Sequence, residues 1–204
     1  MPWDGPQPPY RIETERLSLR CYDPADAESF KEMVDESEAS LDAHMWWYCG
    51  KSLDETVKRL QELRSRFDAG ESFSYAVREG ERLVGGGVLH TRRGAFGLEV
   101  GYWVRTSEQR RGVATETAAA LVHVAFVVCE ADRVEFHIAT GNDASIAVVR
   151  RLGIPREAVL RRRWGNRDGE PCFDQEIYTR FRSEYDVSAA RSLRAYDALG
   201  RQLV

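Results

Sequence analysis

Between a strand-like run over residues 98–104 and a helix-like run over residues 114–128 stands the segment Gln109-Arg110-Arg111-Gly112-Val113-Ala114-Thr115. A loop of this kind, with small residues at alternate positions, lets successive backbone N–H groups point inward. The helix that follows adds about half a unit of positive charge at its N-terminus. The segment reads as a cradle for a diphosphate, set between a strand and a helix. The dinucleotide fingerprint G-x-G-x-x-G and the triphosphate loop G-x-x-x-x-G-K-[ST] do not occur. The run Gly85-Gly86-Gly87 leads into Val88-Leu89-His90 and reads as part of a strand, not as a second phosphate loop.

A chain of 204 residues with 43% apolar content can bury one sizeable core and is expected to form one domain. With a net charge of −4, its one dense basic block is Arg161-Arg162-Arg163, which argues against nucleic acid as the partner. That triple reads as a solvated strand face or as a grip on an acidic partner or a 3′-phosphate. Cys21, Cys49, Cys129 and Cys172 are widely spaced, so neither a zinc site nor a disulfide framework is expected, and a reducing cytoplasm fits. The longest apolar run, residues 118–128, contains His123 and falls short of the ~20 residues a membrane helix needs, so no membrane partner is expected. The proline-rich start, residues 1–9, lacks the layout of a signal peptide and suggests an extended arm.

Leu17, Leu19 and Cys21 alternate with Arg16, Ser18 and Arg20, the period of a half-buried strand. Asp23-Pro24 opens a helical stretch to about Ser37, and Ser52-Leu53-Asp54-Glu55 forms a capping box for a second helix ending at Gly70. Strands follow at 72–78 and 82–91 around Glu79-Gly80-Glu81, then at 98–104. After the cradle, Ala114, Ala118, Leu121, Val122, Ala125 and Phe126 recur at helical spacing. A strand at 133–140 leads to Asn142 as N-cap of a helix that Gly153 ends, and strands at 158–164 and 172–182 bracket the turn Asn166-Arg167-Asp168-Gly169.

This order resembles the GNAT N-acetyltransferase superfamily over roughly residues 11–183, and within it the RimJ/RimL-like branch. The resemblance is carried by Thr14-Glu15-Arg16-Leu17-Ser18-Leu19-Arg20, by Leu98-Glu99-Val100-Gly101-Tyr102-Trp103, by the Q-x-x-G-x-A cradle with Thr115-Glu116, and by Asn142-Asp143-Ala144-Ser145 before Leu152-Gly153. It implies an α+β fold: a mixed seven-stranded sheet with flanking helices, its fourth and fifth strands splayed. An arm over residues 1–10 would precede the domain. Residues 184–204 would add a C-terminal helix with Ala189, Leu193 and Tyr196 on one face.

The resemblance also implies where acetyl-CoA would lie. Its pantetheine arm would run beside Val100, Gly101, Tyr102, Trp103 and Val104, while the pyrophosphate takes N–H bonds from about Arg111 to Thr115 in the cradle, which runs Gln109, Arg110, Arg111, Gly112, Val113, Ala114, Thr115. Arg110 and Arg111 would tune affinity, and Asn142 and Ser145 would border the donor. A backbone N–H in Val100–Tyr102 would polarise the thioester carbonyl, and Ser145 would protonate the departing sulfur. Each residue has a plainer reading as well: core packing for Tyr102 and Trp103, helix capping for Ser145. Glu99 is the first candidate to draw the proton off the amine, although it points opposite to Val100 and could equally be a salt-bridged strand residue. Asp174 is the second, with Tyr178 on the same face. Some ribosomal-protein acetyltransferases carry a Glu where this chain has Trp164, so their acceptor chemistry does not transfer directly. Trp46, Trp47 and Tyr48, with His44 nearby, would line the acceptor cleft or pack a helix end.

Bringing an α-amine of pKa ~7.8 to its neutral form near pH 7.4 costs roughly 0.8 kcal/mol, against about 4 kcal/mol for a lysine amine at ~10.4. With no strong base evident, a protein N-terminus or another low-pKa amine is favoured as acceptor. The alternatives are an enzyme that detoxifies an amine-bearing antibiotic or metabolite, and a noncatalytic acyl-CoA-binding module. In the last of these the final helix would mediate self-association as a homodimer.

Overall fold

The computed structural model describes residues 2–45, 48–92, 96–165, 171–189 and 192–204, with the side chains at 42–44, 164, 165, 171, 172 and 189 left aside. Trp46, Trp47, the side chains of His44, Trp164 and Cys172, and the turn at 166–169 therefore lie outside the described residues.

Along the chain come β1 (Arg11–Glu13), β2 (Ser18–Cys21), α1 (Ala27–Met45), α2 (Leu53–Asp68), β3 (Ser72–Glu79), β4 (Arg82–Thr91) and β5 (Gly97–Val104). Then follow α3 (Val113–Val127), β6 (Arg133–Ala139), α4 (Asp143–Arg151), β7 (Arg156–Gly165), β8 (Pro171–Phe181) and β9 (Arg194–Tyr196). One sheet runs β7-β8-β6-β5-β4-β3-β2-β1-β9, antiparallel throughout except for the β5–β6 pair.

Strand alternation divides the sheet into two faces. On one, Leu89, Leu98, Val100, Val134 and Phe136 pack with Ala118, Leu121, Val122 and Ala125 of α3. On the other, Ala76 and Leu83 pack with Phe30, Met33 and Val34 of α1 and Leu60 and Leu63 of α2. The glycine run in β4 serves both faces. A Cβ on Gly87 would come within 3.1 Å of Leu121 and 3.2 Å of Thr117. One on Gly86 would meet the indole of Trp103 at 2.5 Å and the hydroxyl of Tyr22 at 2.8 Å. Bare backbone at these positions lets α3 seat on one side and an aromatic cluster on the other.

Four expectations need correction. The sheet has nine strands, not seven. Residues 14–17, expected inside the first strand, form a tight turn, Thr14 N–H to Leu17 C=O at 2.9 Å with the Thr14 hydroxyl accepting from Leu17 N–H at 2.9 Å, so β1 and β2 become a hairpin. The tail does not form the expected helix among the described residues: it makes a 3-10 turn, Val187–Ala189, and then β9. β1 would otherwise present an unpaired edge, and Arg194–Tyr196 satisfy it, burying Ala195 completely. Helix α1 also runs past Ser37 to Met45, because Leu41 adds to the buried stripe. The capping boxes at Asp23 and Ser52, the turn at Gly80 and the cap at Asn142 form as the residues suggest.

Gly86→Ala is expected to lower stability by about 1–3 kcal/mol, since the Trp103 ring must leave its rotamer to admit a methyl group. Urea unfolding of the variant beside the parent protein measures it, and an unchanged midpoint would contradict the packing described.

Candidate active site

β5 and β6 pair only from Gly97↔Arg133 to Glu99↔Glu135, although β5 runs on to Val104 and β6 to Ala139. Each strand remains fully paired on its other side, β5 with β4 to Val104 and β6 with β8 to Ala139. Beyond Glu99 the two part, and alternate backbone groups of Val100–Val104 face the gap without a strand partner. Tyr102 holds it open on the α3 face: its ring stands 6.4 Å from that of Phe136, and its hydroxyl donates to the carbonyl of Ser145 in α4 at 3.3 Å. A slot of this shape accepts an extended chain that carries its own amides.

At the end of β5 the chain makes a short 3-10 turn, Thr106–Glu108, then passes through Arg110 at φ +62° and Gly112 at φ +84° into α3. The first bond of α3 runs from Glu116 N–H to Gly112 C=O at 3.0 Å. The N–H groups of Val113, Ala114 and Thr115 thus have no partner inside the helix, and Gly112 offers no capping side chain. Bare donors and the positive end of the helix dipole converge on one spot. The cradle is held by charge. Glu116, nearly buried, accepts from the Thr14 hydroxyl at 2.6 Å and from Arg16 at 2.7 Å, while Arg16 also reaches the carbonyl of Arg111 at 3.2 Å. Burial raises the Glu116 pKa, but the bonds from Thr14 and Arg16 outweigh it and keep the carboxyl below its ordinary value. The Arg111 guanidinium is spent on Glu108 and on Glu79 at 3.0 Å, whereas Arg110 borders an adjoining groove of about 1450 Å³.

Asn142 caps α4 by accepting from Ser145 N–H at 3.2 Å, which leaves the Ser145 hydroxyl without a partner among the described residues. Burial pushes the Tyr102 phenol up to about 12, against the opposing bond to Ser145, so it stays a donor. Ser145, Tyr102, the slot and the cradle all lie around the parted strands. Trp103, by alternation, is on the opposite face, where it stacks on Tyr48 at 6.2 Å and meets Phe30 at 6.1 Å. Arg59 sits over the Tyr48 ring. Tyr178 is buried in the α3-side core with its hydroxyl on Glu176 at 2.7 Å, away from this aromatic group. Asp174 accepts from Arg162 N–H at 2.9 Å in the β7–β8 ladder.

Glu99 is nearly buried and ion-paired with Arg92. It belongs to a cluster that the sequence reading did not single out. Arg92 also donates to His137 Nδ1 at 3.1 Å, His137 Nε2 meets Glu135 at 2.7 Å, and Arg133 meets the other Glu135 oxygen at 2.7 Å. The bond to His137 first, against burial, and then Arg133 hold the Glu135 carboxyl at about 2. His90, facing Glu99 across the β4–β5 ladder, takes a bond from Ser72 at 2.9 Å and is pushed down to about 4, by burial first and then by Arg92 and Arg66. Arg133, Glu135 and His137 sit at alternate positions in the sequence. That pattern reads equally as a solvated strand face, and only the parting of the strands makes it otherwise.

The GNAT acetyltransferase domain model matches residues 16–154. YdaF of Bacillus subtilis (strain 168), named provisionally as a ribosomal N-acetyltransferase, is 26% identical over 153 residues, 72% of this chain and 82% of that protein. YoaA of the same organism, an uncharacterised N-acetyltransferase, is 24% identical over 179 residues, 82% of this chain and 94% of its own. Among solved structures, RimL, a ribosomal L7/L12 alpha-N-protein acetyltransferase in complex with coenzyme A, superposes with a TM-score of 0.75 at 21% identity, over 82% of this chain and 95% of that one. Mycobacterium smegmatis RimJ with a CoA disulfide gives 0.75 at 21%, over 86% and 87%. The chain belongs to the GNAT acetyltransferase family and is an N-acetyltransferase.

Glu36 shows what acid should do to this structure. Hydrogen bonds from Arg105 and Ser107 hold its carboxyl at about 2, as His137 and Arg133 do for Glu135. Both folded values lie below the unfolded one of about 4.3, so the stability they supply is complete above that pH and drains away as pH falls towards 2. The urea midpoint is expected to drop through this window and to drop less steeply in Glu36→Gln; equal slopes would remove Glu36 from the account.

Proposed function

We propose that this protein transfers the acetyl group of acetyl-CoA to a primary amine by direct attack, and that its acceptor is a protein N-terminus. The observation that carries the reading is that β5, whose Val100–Val104 edge borders the gap, leads through the turn at Thr106–Glu108 and Gly112 to the bare N–H groups of Val113, Ala114 and Thr115. The N–H groups suit a pyrophosphate, the gap an amide-bearing pantetheine arm. Gln109 to Thr115 would hold the phosphates through backbone donors, with Arg110 the side chain free to add charge. The opened edge of Val100–Tyr102 would supply an N–H to the thioester carbonyl, where it counts most as negative charge develops on oxygen. Ser145 would give its proton to the departing sulfur, with Asn142 and the Tyr102 hydroxyl fixing the turn that bears it.

Acceptor preference follows from the shape and charge of the α1–α2 face. Tyr48 and Trp103 present aromatic walls there, and Glu99, which pairs with Glu135, lies on the same face of β5 as Trp103. An α-amine of pKa ~7.8, about a quarter neutral near pH 7.4, suits a site whose carboxylates are engaged in ion pairs. YdaF, RimL and RimJ carry names that point to protein acceptors or to that same branch, which agrees with this choice. Cys21, Cys49 and Cys129 are buried and unbridged, in keeping with a reducing cytoplasm. Among the described residues no helix is long and apolar enough to cross a membrane, and no cluster suited to a metal ion occurs.

Thiol release from acetyl-CoA across a panel of peptide N-termini, polyamines and aminoglycosides tests the reading. Peptide-dependent release is expected, and Ser145→Ala should lower kcat roughly 10²-fold with acetyl-CoA affinity unchanged. Release that depends on aminoglycosides alone would replace the protein acceptor with a drug-like one. Calorimetric binding without release would mean a CoA-binding module.

A further inference from the structure

We propose that His137 accepts the proton from the attacking amine, with Glu135 positioning its ring; this rests on the acetyl-transfer reading above. The β5–β6 register ends at Glu99↔Glu135. Continued by two residues it would set Gly101 opposite His137, and there the strands have already parted. His137 alternates with Phe136 and Ile138, which pack on the α3 side, so its ring stands on the far lip of the slot on the α1–α2 face. Opposite it, β5 is bare. Gly101 has no side chain between Glu99 and Trp103, and a Cβ there would come 2.8 Å from Val88. An amine entering over Gly101 reaches a thioester carbonyl lying along Val100–Tyr102 with the imidazole at its side.

The hydrogen bonds settle which nitrogen is basic. A guanidinium only donates, so the 3.1 Å contact from Arg92 marks Nδ1 as the lone pair, and Nε2 carries the hydrogen it gives to Glu135 at 2.7 Å. An imidazole oriented at one nitrogen by a carboxylate, its lone pair at the other met only by a half-exposed guanidinium, can take a proton once that guanidinium gives way. Arg92, 37% exposed and already paired with Glu99, can yield Nδ1 to the amine and keep its other partner. Glu99 itself is committed to Arg92. The charged and titratable groups facing the ring are Arg92 at the end of β4, His90 of β4, Glu99 of β5, and Arg133 and Glu135 of β6. From β8 the register neighbours are Ile177 and Thr179, which bear no charge. In the step, the nitrogen lone pair forms the N–C bond and the amine proton passes to Nδ1. The C–S bond breaks, its electron pair leaves on sulfur, and the thiolate then takes a proton.

The test uses the full chain, acetyl-CoA and the acceptor it turns over best, with kcat/KM followed against pH. His137→Gln should bind acetyl-CoA as the parent does while kcat falls roughly 10²–10³-fold, and imidazole should restore activity to His137→Ala. Glu135→Gln, which removes the anion beside the ring, should move the enzyme's acid limb to lower pH. Arg92→Gln, which removes the cation at Nδ1, should move it higher. A residue that merely braces the strand would not move the limb in opposite directions, and this pair decides the matter even if the His137 variants fail to fold. Retention of kcat and of the acid limb in His137→Gln, or shifts of one sign in both neighbours, would overturn the proposal while leaving acetyl transfer intact. A parent protein that binds acetyl-CoA but acetylates no amine would overturn the reading beneath it.

Discussion

The site depends on a hydrogen-bond ladder that stops. β5 and β6 share three residue pairs, Gly97↔Arg133 to Glu99↔Glu135, and then separate while each stays bonded to its outer neighbour. An unpaired strand edge inside a sheet is costly unless something fills it. Here the wedge is Tyr102, anchored through its hydroxyl to α4, and the remaining opening is what an amide-bearing substrate can occupy. The parallel pairing of β5 and β6 requires the crossover helix α3, and that crossover sets the N-terminus of α3 at the open end of the slot. Slot and cradle are therefore consequences of one topological choice.

Ion pairs tie the cradle to its neighbours. Glu116 joins the β1–β2 turn to the first turn of α3 through Thr14 and Arg16. Arg105, 8% exposed, binds Glu32 and Glu36 of α1 at 2.6 Å each, while Glu36 and Ser37 accept from the N–H groups of Ser107 and Thr106. The loop before the cradle is thus pinned to the helix that borders the acceptor face. Because Glu116 and Arg105 are shielded and multiply bonded, removing their partners would strand a charge, a larger effect than losing an exposed pair. The same logic applies at the apex of the slot, where Arg92, Glu99, Arg133 and Glu135 are ion-paired and His137 is bonded to both Arg92 and Glu135.

Most elements could be read directly from the residues, and the reasons are local. The turn at Glu79-Gly80-Glu81 marked β3 and β4, the box at Ser52 marked α2, and the cradle marked the start of α3, since each signal lies within a few residues of what it specifies. The misreadings share the opposite property. β9 is a strand because β1, far away in sequence, offers an edge; Ala189, Leu193 and Tyr196 at helical spacing gave no sign of it. The β1–β2 turn hides within a stretch that alternates like a strand. For the site, Tyr102 and Ser145 were legible as motif residues, whereas the join between them spans 43 positions of sequence.

What the sequence alone determined is the set of elements with their own local causes: caps, turns at Gly80 and Gly153, the apolar face of α3, and a helix N-terminus left bare by Gly112. Tertiary structure decided which face each alternating residue occupies and what it meets. It sent Tyr178 into the core, turned Trp103 towards Tyr48, tied Glu99 to Arg92 and set His137 beside the parted strands. The physical reason is range. Capping and propensity act over three or four residues, while the pairing of Glu99 with Glu135 and the opening beyond it arise only when segments separated by a whole helix are brought together.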